Sequence, residues 1–341
     1  MLKKHKWLAP VLFVALVALT ILVVAGQSKT FTAEGFIAYV KSVRPWGLIT
    51  AVGCMLCYIL FEGLALLETC RALGYRRGWR RGVLYSAADI YFSAITPSAT
   101  GGQPASALLM IGDGIPAAVT TVALLLNLLL YTLSIFVITL AGLALSPGAL
   151  GMFGVPARLL MAVGAALQLA LIGGILLLIF KENIFLKLVD VFLRLGEKLR
   201  LVRNAEARKE KLLQVEADYQ ASAGVIRRHL PALSGAFVLN ILQRLSIVLV
   251  PVVLYAASVP APRSLRRAFA AQTWVIMGSN SVPLPGAVGV ADYLFLDGYG
   301  ALMPDPVNLE LLSRTVSFYC CVLLCAVILL LSFITQKASR K

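Results

Sequence analysis

Long apolar runs separated by short polar segments set the pattern of this chain. A helix needs about 20 apolar residues to cross the hydrocarbon core of a bilayer. Six runs meet that length, at residues 7–25, 47–68, 117–145, 157–180, 231–257 and 309–335. Two further apolar stretches, 83–111 and 266–303, are cut near their middles by proline and glycine. The interruptions read SAITPSATGGQPASALLM (Ser93 to Met110) and SNSVPLPGAVGVADYLF (Ser279 to Phe295). Arms this short do not span, so the pattern predicts two hairpins of half-helices, each entering and leaving on one side. A kinked single span, or two strongly tilted full spans, is the alternative at each interruption. Lipid cannot hydrogen-bond a broken backbone, so such chain must be buried in protein or bathed by a wet cavity. Interruptions at matching places in two halves point to a transport site.

Lysine and arginine orient this arrangement. With a cytoplasmic N-terminus, the inside segments 1–6, 71–82, 112–116, 181–230 and 336–341 hold 22 of the 31 basic residues. That excess follows the positive-inside rule, with Arg263, Arg266 and Arg267 the outer exception. Residues 1–145 and 157–335 then carry the same order of span, span, hairpin and span, starting from opposite faces. The expectation is a single all-α polytopic domain over 1–341, built as an inverted repeat of about six spans and two re-entrant hairpins. Between the halves, 181–230 carries 11 basic and 7 acidic residues. Ile184, Phe185, Leu188, Val189, Phe192 and Leu193 recur there at helical spacing, which predicts an amphipathic connector on the cytoplasmic headgroups.

Composition removes several classes of function. A chain with 60% hydrophobic and 14% charged residues has more apolar surface than a soluble domain hides. The net charge of +15 sits in short clusters beside apolar runs, which fits anionic headgroups and not nucleic acid. The first run is longer than a secretory h-region and lacks a small-x-small cleavage site, so a retained helix is expected. Cys54 and Cys57 form a CxxC inside a span without a second pair, which leaves packing as their role. The only histidines are His5 and His229, and no nucleotide, zinc or serine-hydrolase motif is present. No metal or other cofactor is therefore expected.

The residues that remain suit an anion in a membrane cavity. Thr96, Ser98, Thr100, Gln103 and Ser106 surround Pro97, Gly101, Gly102 and Pro104 in the first interruption. A half-helix starting near Pro104 would aim its positive end at a phosphodiester. Close helix packing by small residues is the competing account. Asn280 and Gly286 occupy comparable places in the second interruption, followed by Asp292. Glu62, Asp89, Arg244 and Arg314 are further intramembrane charges, functional or paired by default. Arg244 lies too deep to snorkel and needs a carboxylate or an anionic ligand. Glu62 and Asp89 are its candidate partners, and Arg314 could answer Asp292. Glu68 and Arg71 suit a surface i, i+3 pair, while Asn127, Gln168 and Trp274 suit packing or interhelical hydrogen bonds.

The basic loop RALGYRRGWRR (Arg71 to Arg81), the first interruption and PLPGAVGVADYL (Pro283 to Leu294) resemble the membrane domain of the lysylphosphatidylglycerol synthase family. The resemblance covers nearly the whole chain. Where members commonly show Gly-Gly and Glu in the late element, this chain has Gly286-Ala287 and Asp292. The resemblance implies a flippase-like domain that moves a phospholipid such as lysylphosphatidylglycerol across a bacterial plasma membrane, with a homodimer as assembly. In full-length members a soluble domain performs aminoacyl transfer, for which a chain ending at Lys341 leaves no room. A separate aminoacyltransferase is then an implied partner. A lysyltransferase-type enzyme, and a membrane partner subunit of a synthase or glycosyltransferase, are the alternatives.

Overall fold

The computed structural model describes residues 33–96, 99–180, 233–259, 262, 264–282 and 287–338. The expected first span, the 181–230 connector, Ser98 and Gly286 lie outside these residues. Helices account for nearly all of what is described: α1 Ala33–Ser42, α2 Pro45–Ala72, α3 Trp79–Ile95, α4 Gly102–Gly112, α5 Ala117–Leu145 and α6 Val155–Phe180. They continue as α7 Leu233–Ser258, α8 Leu265–Ser279, α9 Val290–Gly300, α10 Val307–Arg314 and α11 Cys321–Ala338. Five helical segments among the described residues are long and apolar enough to cross a membrane: 45–72, 117–145, 155–177, 233–258 and 307–332. Their leucine, isoleucine and valine positions face outward as often as inward, as expected where lipid replaces water around the bundle.

The last of these spans is not one regular helix. A π-helical turn, Thr315–Cys320, joins α10 to α11. Such a turn frees a backbone carbonyl and often marks a functional site. In α7, Pro251 cannot donate to the Ile247 carbonyl, so the two central helices carry local defects at neighbouring positions. Helix α1, before the first described span, had no counterpart in the hydropathy pattern.

Each interrupted stretch forms two short helices packed on each other. The first pair is α3 and α4, of 17 and 11 residues; the second is α8 and α9, of 15 and 11 residues. At about 1.5 Å per residue even the longest falls short of a roughly 30 Å hydrocarbon core. The two ends of each pair are tied together. Tyr85 donates to Asp113 Oδ2 at 2.5 Å, Arg81 pairs with Asp113 Oδ1 at 3.2 Å, and Arg77 donates to the Asp113 carbonyl at 2.6 Å. In the second pair, Tyr299 donates to the Ala268 carbonyl at 3.2 Å.

Contacts along α2 and α7 set the hairpins relative to one another. The Arg44 amide donates to the Ala257 carbonyl at 3.3 Å, and Gly235 lies against the Glu68 side chain near the other end, so α2 and α7 run antiparallel. The first hairpin follows the Ala72 end of α2 and the second follows the Ser258 end of α7. Their bases therefore lie at opposite ends of the bundle, and their tips point toward its middle. Close backbone approach seats the first hairpin on α2: a Cβ on Gly63 would fall 2.5 Å from the Gly82 carbonyl oxygen. That contact lays Glu62 beside α3.

Candidate functional site

The tips of both hairpins meet at one cavity of about 500 Å³, within the roughly 300–1,000 Å³ range of ligand sites. Asp89, Ser93, Ala99, Gln103 and Ser106 reach it from the first hairpin, and Ser279, Asn280 and Ala287 from the second. Helices α2, α5 and α7 contribute Tyr58, Glu62, Asn127, Tyr131 and Arg244. Both turns are held in strained backbone: Ala99 at φ 53° and Ala287 at φ 49° are the non-glycine residues of positive φ among those described. Residues held in this region cluster at ligand sites because only a rigid surround maintains them.

Arg244 is 4% exposed, yet its guanidinium makes no ion pair among the described residues. It donates to the hydroxyls of Tyr58 and Tyr131, each at 3.0 Å. It also lies over both rings, 5.3 Å from the Tyr58 centroid and 4.0 Å from that of Tyr131. Tyr131 in turn donates to Asn280 Oδ1 at 2.6 Å. One chain of hydrogen bonds thus joins the second hairpin tip to α5, α7 and α2. Arg244 Nε has no partner. In place of an ion pair with Glu62 or Asp89, two tyrosine hydroxyls hold the Arg244 guanidinium.

The first hairpin departs in detail from the sequence expectation. Thr96 Oγ1 accepts from the Gly101 amide at 2.9 Å and donates to the Phe92 carbonyl at 2.6 Å, so it closes the turn. Thr96, Thr100, Gly101 and Gly102 are not on the cavity wall, and Thr100 is exposed. Helix α4 begins at Gly102, with Pro104 in its first turn, as expected. A Cβ on Gly102 would collide with Asp89 and Ser93, so glycine permits the start of α4 to press on the Asp89 carboxyl. The positive end of that helix dipole is directed at an acid of the protein itself. Gln103 and Ser106 reach the cavity from α4, and Tyr85, Ser86 and Ser93 reach it beside Asp89 from α3.

A second cavity, of about 160 Å³, adjoins the first. Five residues line both: Ile247, Ile276, Ser279, Ser317 and Phe318. Ser317 and Phe318 belong to the π-turn, and Ile247 is the residue to whose carbonyl Pro251 has no N–H to donate. Beyond this partition Arg314 pairs directly with Asp292 and with Glu310, the latter at 3.3 Å. Asp292 is fully buried and Oδ2 accepts from the Gly289 amide at 2.8 Å, capping its own helix. Asp292 is therefore not the solvated acid that a surface turn would have given. Glu68 and Arg71 form the expected surface pair at 3.5 Å. Asn240 donates to Asn127 at 3.1 Å and Gln168 to the Met277 carbonyl at 2.8 Å, as interhelical bonds.

Sequence reasoning missed Tyr58, Tyr131, Ser93 and Glu310. Both tyrosines sit mid-span, away from the interfaces where tyrosine is enriched, which was the available signal. Glu310 and Arg314 are spaced i, i+4, a pairing interval that could have been read.

Compared with known families, the chain matches the one described as Lysylphosphatidylglycerol synthase TM region over residues 7–325. No curated protein matches it.

Proposed function

The chain belongs to the lysylphosphatidylglycerol synthase transmembrane family, and from that premise we propose that it is a lipid translocator. It carries the headgroup of an anionic or aminoacylated phospholipid from one leaflet to the other. The observation that carries this reading is the meeting of both hairpin tips at one polar cavity around Arg244. A phosphate is the ligand this arrangement favours, because Arg244 keeps its charge with only neutral hydroxyls bonded to it. Gln103 and Asn280 supply amides from opposite tips. The acyl chains remain in the bilayer while the headgroup uses the protein interior.

Two cavities divided by a thin partition suit alternate opening toward the two faces. Ile247, Ile276 and Phe318 are the apolar barrier, and the π-turn and Pro251 are the places where backbone shifts at low cost. The opposite placement of the hairpin bases supports reading 1–145 and 157–335 as inverted repeats that exchange roles during the cycle. The proposed setting is a bacterial plasma membrane with both termini cytoplasmic. A homodimer and a separate aminoacyltransferase complete the assembly.

The test is reconstitution into vesicles of phosphatidylethanolamine and phosphatidylglycerol carrying a trace of headgroup-labelled phosphatidylglycerol, with the outer leaflet quenched chemically. The protein should expose inner-leaflet label faster than protein-free vesicles do. Equal rates for phosphatidylglycerol and its lysyl ester, with and without protein, would overturn the proposal.

A further inference from the structure

The first cavity holds an unbalanced set of charges. Its ionisable lining comprises Glu62 and Tyr58 from α2, Asp89 and Tyr85 from α3, Tyr131 from α5, Arg244 from α7 and Cys321 from α11. Tyrosine and cysteine are neutral groups in this role, so two acids face one cation. Arg244 spends its fork on Tyr58 and Tyr131 and forms no ion pair with either acid. The second cavity makes the contrast: there Asp292 and Glu310 both contact Arg314 directly.

Glu62 and Asp89 instead face the cavity from the adjoining helices α2 and α3, which approach closely at Gly63 and Gly82. Two bare carboxylates sharing one buried cavity repel each other, and a positive charge between them relieves that repulsion. Further unpartnered oxygens line the same cavity. Ser86 and Ser106 are both fully buried, line the same cavity, and have hydroxyls without a hydrogen-bond partner. Glu62 Oε2 is itself buried and has no conventional donor. Ser93 Oγ stands 3.5 Å from Asp89 Oδ1. Oxygen ligands of this kind suit a small hard cation. The backbone contact of Gly63 with Gly82 and the glycine at 102 hold the two acids together from either side.

We propose that Glu62 and Asp89 form a binding site for one monovalent cation, a proton or Na⁺ taken from the cavity water, with Ser86 and Ser106 as added ligands for Na⁺. The site rests on this geometry, and only its consequence for transport rests on the lipid reading. With the cation bound, two acids, Arg244 and the cation sum to zero charge. A phosphate entering at Arg244 then meets no excess negative charge. Cation and lipid headgroup therefore favour each other's binding, which couples lipid movement to a cation gradient.

Purified protein in detergent tests the site without any lipid assay. Radioactive Na⁺ binding is measured against a choline background, and infrared spectroscopy looks for the band of a protonated carboxylic acid. Wild type should show saturable Na⁺ binding, the protonated-acid band, or exchange of one for the other. Glu62→Gln with Asp89→Asn should lose both signals, and Glu68→Gln at the surface should keep them. If the double variant fails to fold, either single variant should weaken Na⁺ binding about tenfold or remove the band, the scale of one lost charge contact. No Na⁺ binding together with no acid band assignable to this pair overturns the proposal. In the vesicles described above, a gradient of the bound cation should accelerate label exposure several-fold. Cation binding without lipid movement would contradict the lipid reading and leave this site standing.

Discussion

The two buried arginines should respond oppositely to removal, and the difference follows from what each one touches. Arg314 is 6% exposed and answers two acids, Asp292 at 0% and Glu310 at 4%. Arg314→Met fills similar volume but leaves two carboxylates without their cation, and breaking a buried pair costs about 3–5 kcal/mol. Arg244→Met removes hydrogen bonds to two hydroxyls, and an unsatisfied buried hydroxyl costs about 1–3 kcal/mol. Tyr131 keeps its bond to Asn280, and both tyrosines line a cavity that water can enter, so the lower end applies. The expected gap is therefore about 2 kcal/mol or more, with Arg314→Met the less stable. Denaturation in mixed micelles, followed by tryptophan fluorescence, measures both variants against wild type. Adding Asp292→Asn and Glu310→Gln to Arg314→Met should recover most of its loss, because the uncompensated charge is gone. Equal destabilisation by the two substitutions, or no rescue, would refute the division into a structural and a working arginine.

Further outcomes follow from single contacts. Gly102→Ala places a Cβ into Asp89 and Ser93, so the first hairpin should open, read as increased protease cleavage between residues 96 and 102 in the folded protein. Tyr85→Phe loses the 2.5 Å bond to Asp113 at the hairpin base and should lower stability by about 1.5–3 kcal/mol, the range for a bond to a charged group, in the same micelle titration. Phe318→Ala thins the partition between the cavities, so the reconstituted protein should leak small ions while wild type does not. Single cysteines at Gly78 and Ser264, in a background without native cysteines, should react with an impermeant maleimide from opposite faces. Labelling of both from one side would contradict the antiparallel placement of α2 and α7.

The spans and the two interruptions were legible because a bilayer enforces simple rules. Apolar length is set by membrane thickness, and proline or glycine inside such a run must have a reason. Charge scarcity suggested Asp292 as a candidate for Arg314, and the fold pairs them. The environment of Arg244 was not suggested in this way, because a tyrosine in an apolar run looks like packing until the fold brings Tyr58 and Tyr131 to one guanidinium. Hydroxyl-rich composition likewise could not separate residues that close a turn, such as Thr96, from those that face the cavity, such as Gln103 and Ser106. The π-turn at Thr315–Cys320 was hidden because one extra residue in a helical turn changes neither hydropathy nor length. That both hairpins share one cavity is a tertiary fact, set by which helices cross between them.

The most direct test of the central claim compares wild type with Arg244→Met and Arg244→Lys in the leaflet-resolved vesicle assay. The account predicts that wild type moves labelled phosphatidylglycerol, that Arg244→Met falls to the rate of empty vesicles while remaining folded, and that Arg244→Lys retains a reduced rate. Transport by Arg244→Met at the wild-type rate would contradict it.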